Sequence, residues 1–361
     1  MYSPLDKRQG SGKVRIDMRY AEQILEEVRK DAAPADEHLD EARRRRDAVL
    51  TAARDFTTVR DEYFSGSVAH GTANVVKDAD CGIVLDRRAH PGLGPDGDGD
   101  GPVEIVNAVR GHLRSSDLRD TWGGIRYRIT NRAIKVFFHD PLTDECDPKV
   151  DLIVALDRKD KPGLWIPKGM EGLDPTWDAS HPAKHTELFL PSDRNLRRTR
   201  VRTTRLAKLV NDETNGWFSS FNLAALAYFG IEQAQRVDEA LFEFYAFAAK
   251  DLQDHLTHDP ADVSDPIKLS KGITKDKAVR RLEKWRDLVD DAIEADSEED
   301  AREALAKLLP GWVTPPAGGA AALAAGLASG GSPHVTEKGL GLGSSPDGRA
   351  ITKRVRSYGG D

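Results

Sequence analysis

The stretch "FSGSVAHGTANVVKDADCGIVLD", residues 64 to 86, sets two carboxylates, Asp78 and Asp80, at the mouth of an apolar run from Cys81 to Leu85. In an extended chain residues i and i+2 share a face, so both acids point the same way while Ala79 points into a core. Magnesium takes oxygen ligands and is commonly held by one or two carboxylates together with substrate phosphates. "KVDLIVALD" offers a third carboxylate, Asp151, at the start of another apolar strand. Three such acids could hold two ions that activate an attacking hydroxyl and stabilise a leaving pyrophosphate.

The Gly-Ser pair upstream fits the same chemistry. Gly66 lets the backbone approach an anion, neighbouring amides can cradle phosphate, and the Ser67 hydroxyl can donate to a phosphate oxygen. A short helix after the pair would aim its positive end at that anion. A lone D-x-D also arises wherever Asp caps a turn before a strand. The combination carries the reading: Gly-Ser, ten residues, Asp-Ala-Asp, an apolar strand, then an Asp-led strand about seventy residues on.

The elements around these residues divide the chain. A helix is expected over residues 35–56, with Leu39, Ala42, Ala48, Leu50 and Ala53 at helical spacings and "RRRR" on its outer turns. "HPGLGPDGDGDGP", residues 90–102, reads as a loop, and β-branched and aromatic clusters predict strands over 125–129, 133–138 and 150–156. From His181 onward the pattern is helical, with segments at 195–211, 219–230, 236–254, 276–295 and 299–309. Mixed elements followed by helices predict an α+β lobe and then a helical lobe. Residues 315–361, with their Gly, Ala and Ser composition, are expected to be a disordered low-complexity tail.

The length of 361 residues suggests two domains or two lobes sharing a cleft, and the 39% hydrophobic and 31% charged composition is that of a soluble globular protein. The absence of a long apolar run and the polar start predict a cytoplasmic protein without a membrane span. Cys81 and Cys146 are too few for a disulfide framework or a four-cysteine zinc site. Net charge is −7, yet "RNLRRTRVRTTRLAK", residues 194–208, holds seven cations and no acid, which suggests a local anionic ligand more than a long nucleic-acid track.

The 64–86 stretch followed by "KVDLIVALD" resembles the signature of the polymerase-β-type nucleotidyltransferase superfamily. The G-S-x-x-x-G-T form, "GLWIPKG", "WDASHPAKH", "TRLAKLVN", "GWFSSFNLAALA" and "DVSDPIKLSKGI" are similar to segments of the bacterial cyclic GMP-AMP synthase-like and oligoadenylate synthase-like enzymes, the CD-NTases. The resemblance covers about residues 40–312. It implies a bilobal α+β protein with a shared cleft: an N-terminal segment 1–34, a catalytic lobe 35–180 with a mixed sheet and a long N-terminal helix, a helical lobe 181–314, and the tail.

It also implies a metal-dependent nucleotidyltransferase using two Mg2+ or Mn2+ ions on Asp78, Asp80 and Asp151. Gly66 and Ser67 match the triphosphate loop, and Lys208 and Ser220 match positions that contact the donor triphosphate. The expected partners are nucleoside triphosphates and regulatory or effector proteins, with no membrane and no obligatory nucleic-acid template. The expected reaction joins NTPs into a cyclic or linear oligonucleotide messenger and releases pyrophosphate, in an antiphage setting. The rivals are transfer of NMP to a small molecule, protein or tRNA, and a catalytically inactive nucleotide-binding module.

Other features carry less. "DGDGDG" at 96–101 opens like a calcium loop, but its twelfth position is Asn107 and lacks the closing carboxylate. His70, His181 and His185 have no partner at metal-ligand spacing, and His181, before a proline, is expected in a turn. Trp165, Trp177 and Trp217 read as core or interface residues, and Tyr127 or Phe218 as a purine-stacking ring.

Overall fold

The computed structural model describes residues 20–316, apart from 98, 100, 144, 145 and 160, together with 335–336 and 339–340. The expectation about the tail falls largely outside these residues. Among the described residues no helix is long and apolar enough to cross a membrane.

The first half of the chain builds α1 (Tyr20–Asp31), α2 (Asp36–Arg54), β1 (Val59–Ser65), α3 (Gly66–Ala69), β2 (Asp78–Leu85), α4 (Val103–Ser115), α5 (Leu118–Trp122), β3 (Arg126–Ile129), β4 (Ile134–Phe137), β5 (Lys149–Asp157), β6 (Leu164–Lys168) and β7 (Thr176–Ser180). Their mixed sheet runs β1-β2-β5-β4-β3, with β6 on the far end of β5 and β7 on β6. Only the central pair, β2 and β5, is parallel.

Alternation divides the faces of this sheet. Cys81, Ile83, Leu85, Leu152, Val154 and Leu156 turn toward Val49, Leu50 and Ala53 of α2 and Val106, Val109 and Leu113 of α4, and all of these are buried. Ala79 is fully buried against Ala42 of α2 and Val68 of α3, as its place between two aspartates predicts. Asp78, Asp80 and Asp151 are thereby left on the opposite face, which α2 and α4 do not cover.

From residue 182 to residue 308 the elements are helical: α6 (Pro182–Phe189), α7 (Arg194–Glu213), α8 (Ser220–Gly230), α9 (Val237–Asp254), α10 (Lys275–Ile293) and α11 (Glu298–Leu308); a two-residue strand pair, β8 (Val335–Thr336) and β9 (Gly339–Leu340), lies beyond them. Helices α7 to α11 share a second core, centred on Leu206, Leu226, Leu241, Phe244, Tyr245, Leu282 and Leu305. Ile24, Leu25 and Val28 of α1 join that core, because α1 carries one apolar stripe at helical spacing and packs it on the later helices.

The four arginines of α2 are not all outward. Arg43 and Arg44 are exposed, but Arg45 is fully buried and Arg46 nearly so. Arg45 Nε donates to Glu41 Oε1 at 2.7 Å, one helical turn away, and Nη1 donates to Asp147 Oδ1 at 2.6 Å and to the Pro148 carbonyl at 2.9 Å. Its Nη2 donates to the Asp140 carbonyl. Each of its three nitrogens finds an acceptor, which is what lets a guanidinium replace an apolar side chain here.

Candidate active site

β1 runs antiparallel to β2 with Ser65 opposite Asp80, so the chain turns at Gly66 directly beside that carboxylate. Gly66 has φ +75°, and a Cβ there would lie 1.8 Å from Asp80 Oδ2. Glycine is required twice, for the left-handed backbone and for the close approach. The loop then closes on itself: the His70 amide donates to the Gly66 carbonyl at 3.0 Å and the Thr72 amide to the Ser67 carbonyl at 2.9 Å. The helix expected after Gly-Ser is a single turn of four residues.

The parallel pairing of β2 and β5 sets Asp80 directly across from Asp151, about 4.8 Å away between backbones, with Asp78 two residues back on the same face. Burial, and next the charges of Asp151 and Asp78, raise the Asp80 carboxyl to about 7. Asp151 is raised to about 6, first by burial; Lys135 opposes the rise and Asp78 adds to it.

Lys135 was not anticipated. Its place on β4 opposite Asp151 lets Nζ sit 3.2 Å from Asp78 Oδ1 and 3.3 Å from Asp151 Oδ2. The sequence signal is slight: in "IKVF" the lysine alternates with buried Ile134 and Val136, which predicts its face but not its partners.

Whether these acids suit a divalent ion can be tested on their surroundings. As the side chains stand, no group of three His, Cys, Asp or Glu among the described residues is placed to hold a metal ion. The chemistry is nonetheless that of such a site. Asp151 Oδ1 is buried without a hydrogen-bond donor, and burial, with the neighbouring carboxylate charges adding to it, raises the carboxyls of Asp80 and Asp151. A hard cation would satisfy both conditions.

From the helical region, Lys208 of α7 reaches the loop. Its Nζ donates to the Thr72 carbonyl and to Thr72 Oγ1, both at 3.1 Å. Burial lowers its ammonium to about 8, and the charges of Asp212 and Asp80 oppose that fall. Three residues earlier, Arg205 Nε donates to Asn74 Oδ1 at 3.0 Å, and Asn74 Nδ2 donates back to the Arg205 carbonyl at 2.9 Å. Much of the remaining charge on α7 is committed to the protein itself: Arg200 donates to the Ile231 carbonyl, and Arg202 pairs with Glu26 of α1. The helix is thus less of an anion surface than its composition suggested.

The structure therefore brings Gly66, Ser67, Asp78, Asp80, Asp151 and Lys208 into one neighbourhood. Ser220 is exposed at the first turn of α8, and among the described residues no hydrogen bond joins its side chain to the loop or the carboxylates. Neither candidate stacking ring is at the site. Phe218 is buried in the helical core, and Tyr127 lies on the α4 side of the sheet, where its hydroxyl donates to the Leu113 carbonyl at 3.0 Å.

The histidines are structural. His181 caps α6, its Nδ1 accepting from the Lys184 amide. His70 is held neutral, its imidazole lowered to about 4 by burial and by Lys208, with Nε2 3.0 Å from Thr186 Oγ1. His185 Nε2 lies 2.5 Å from Asp259 Oδ1, where amide and side-chain donors hold the carboxylate well below its usual range.

No family model and no curated protein matches the sequence. Solved structures do match the fold. The CD-NTase CdnG of Bradyrhizobium diazoefficiens, solved with GTP, superposes with a TM-score of 0.58 at 13% identity, over 79% of this chain and 94% of that one. CdnC of E. coli MS115-1, solved in a complex with HORMA-deltaN, gives 0.56 at 15% identity, over 81% of this chain and 98% of its own. The Vibrio cholerae cyclic AMP-GMP synthase DncV, described as a prokaryotic cGAS homolog, gives 0.50 at 16%, over 82% and 87%. The chain has the α+β fold of the bacterial CD-NTases.

Proposed function

We propose that the protein is a template-independent nucleotidyltransferase that joins nucleoside triphosphates into a cyclic or linear oligonucleotide messenger, and that it acts in antiphage signalling. The observation that carries the reading is the register of β2 and β5. Asp80 faces Asp151 with Asp78 alongside, against a loop whose Gly66 backbone touches Asp80 and whose Thr72 is held by Lys208. That CdnG was solved with GTP and CdnC with ATP supports the substrate class. The CdnC complex with HORMA-deltaN supports a regulatory protein partner.

In this reading residues 35–180 form the catalytic lobe and 181–314 the helical lobe, with the nucleotides in the cleft between them. Asp78, Asp80 and Asp151 would hold two Mg2+ or Mn2+ ions, which supply charge neutralisation and activation of a hydroxyl when bound. The chain's own residues bind and orient. The Gly66–Ser67 backbone and the Ser67 hydroxyl receive the donor triphosphate, and Lys208 supplies a compact positive charge at its edge. Ser220 is assigned to the same triphosphate on resemblance alone. A ribose hydroxyl of the acceptor, aligned with the donor, attacks the α-phosphorus. A new oxygen–phosphorus bond forms as the α–β bridge breaks, and pyrophosphate leaves.

The test is incubation of the purified protein with all four labelled NTPs and Mg2+ or Mn2+, followed by phosphatase treatment and separation. The expected result is label in phosphatase-resistant oligonucleotides, lost in Asp78→Ala, Asp80→Ala and Asp151→Ala. Label appearing only on an added tRNA, protein or small hydroxylated compound would replace messenger synthesis by transfer to an acceptor. Nucleotide binding without any product would leave an inactive module.

A further inference from the structure

Lys135 stands in a place where the proposed chemistry has no obvious use for it. Two charges of the carboxylate cluster are already shared with this one ammonium, 3.2 Å from Asp78 and 3.3 Å from Asp151. Its side chain is 20% exposed, so the contact is neither locked in a core nor lost to solvent. Arg128, its exposed cross-strand partner on β3, adds a further positive charge that acts on Asp151. From the helical side Lys208 acts on Asp80, but it is held by Thr72. Lys135 is thus the cation that bridges two members of the cluster.

A divalent ion bound by Asp78 and Asp151 would have to enter the space this ammonium fills, or lie within a few ångströms of it. Like charges at that range in a partly buried site repel strongly. Lysine, a compact charge on a flexible four-carbon stem, can move aside. A displaced ammonium needs a new counter-charge, and the phosphates of a bound nucleotide are the anions that arrive at this face.

We propose that Lys135 is a resident counter-cation that makes metal loading conditional on nucleotide. It holds the carboxylates together in the metal-free protein and opposes a divalent ion that arrives alone. It gives way when a triphosphate supplies negative charge for the released ammonium. Binding linkage makes the effect reciprocal, so nucleotide strengthens metal binding by the same factor as metal strengthens nucleotide binding. The inference rests on the carboxylates being the metal site.

The experiment measures Mn2+ binding to the full chain by electron paramagnetic resonance, with and without a non-hydrolysable ATP analogue, in the wild type, Lys135→Gln and Lys135→Arg. In the wild type the analogue is expected to tighten Mn2+ by tenfold or more. Lys135→Gln should bind Mn2+ about tenfold tighter than wild type without nucleotide, show a smaller effect of the analogue, and melt at a lower temperature in EDTA. Lys135→Arg should resemble wild type. Mn2+ affinity in Lys135→Gln equal to or weaker than wild type would overturn the role of Lys135. So would a wild-type affinity indifferent to the analogue, a measurement that needs no variant to fold. Absence of Mn2+ binding in the wild type with the analogue present would instead overturn the carboxylate site and the inference with it.

Discussion

Asp80→Asn should separate the stability of the metal-free protein from its activity. The folded carboxyl is raised from 3.8 to about 7 by burial and by Asp151 and Asp78, whereas in the unfolded chain it titrates normally. Between those two values the folded protein keeps a proton that the unfolded chain has released. Stability therefore falls as pH rises from about 4 to about 7 and is level in this respect above it. At about 1.4 kcal/mol per tenfold in proton affinity, the full difference is about 4 kcal/mol; because Asp151 shares the repulsion, recovery of about 2–4 kcal/mol is expected. Urea unfolding in EDTA should show Asp80→Asn more stable than wild type by that amount at pH 8, with the two converging near pH 4.5. With Mg2+ or Mn2+ and NTPs, the same variant should be inactive. Equal stability of the two proteins at pH 8 would show that the cluster carries no uncompensated charge, and the argument from buried, mutually repelling carboxylates to a cation site would go with it.

Gly66→Ala should lose activity and at least about 1–2 kcal/mol of stability, because φ is +75° and the new methyl would fall 1.8 Å from Asp80 Oδ2; circular-dichroism melts and the labelled-NTP assay check both. Lys208→Met should weaken NTP binding by about 1–3 kcal/mol, read by calorimetry. In the wild type that affinity should decline above pH 8 as the lowered ammonium loses its proton; an affinity flat to pH 9.5 would exclude Lys208 from the triphosphate. Arg45→Met should cost about 1.5–3 kcal/mol in urea unfolding, since Glu41 loses its buried partner and keeps only the exposed Arg44, and the double variant with Glu41→Leu should recover part of that loss.

The elements legible in the sequence were those whose pattern matched their burial. "KVDLIVALD" and "IKVF" alternate or run apolar, and both are strands; the five long helices after residue 194 follow their apolar spacing closely. β1 was missed because "VRDEYFS" lies at a sheet edge and keeps Arg60 and Asp61 in solvent beside a half-buried Glu62, which removes alternation. α1 and α4 do carry apolar stripes, Ile24, Leu25, Val28 and Ile105, Val106, Val109, and were overlooked beside a polar N-terminal segment and a glycine-rich loop. At the site, carboxylates and glycine were legible by type and spacing, since the i, i+2 rule and the turn requirement are local. The contact between Lys208 and Thr72, 136 positions apart, is tertiary, and only the resemblance pointed to it.

What stayed hidden was the placement of charge. Arg45 and Lys135 both look like solvated surface cations in the sequence, and both turn out to hold acids that the fold has drawn out of water. The cause lies in strand register. Once β5 pairs with β2 on one side and β4 on the other, Asp151 stands between Asp80 and Lys135, so one pairing creates the repulsion and the other partly relieves it. Arg45 has the same relation to Glu41 and Asp147, where the acids belong to a helix and a loop joined only in the folded chain. Arg45 is fully buried, has all three guanidinium nitrogens bonded, and cannot leave without emptying that pocket of its cation. Lys135, with two contacts and a partly exposed stem, can. The difference in satisfaction distinguishes a cation that holds the fold from one that can yield to a ligand.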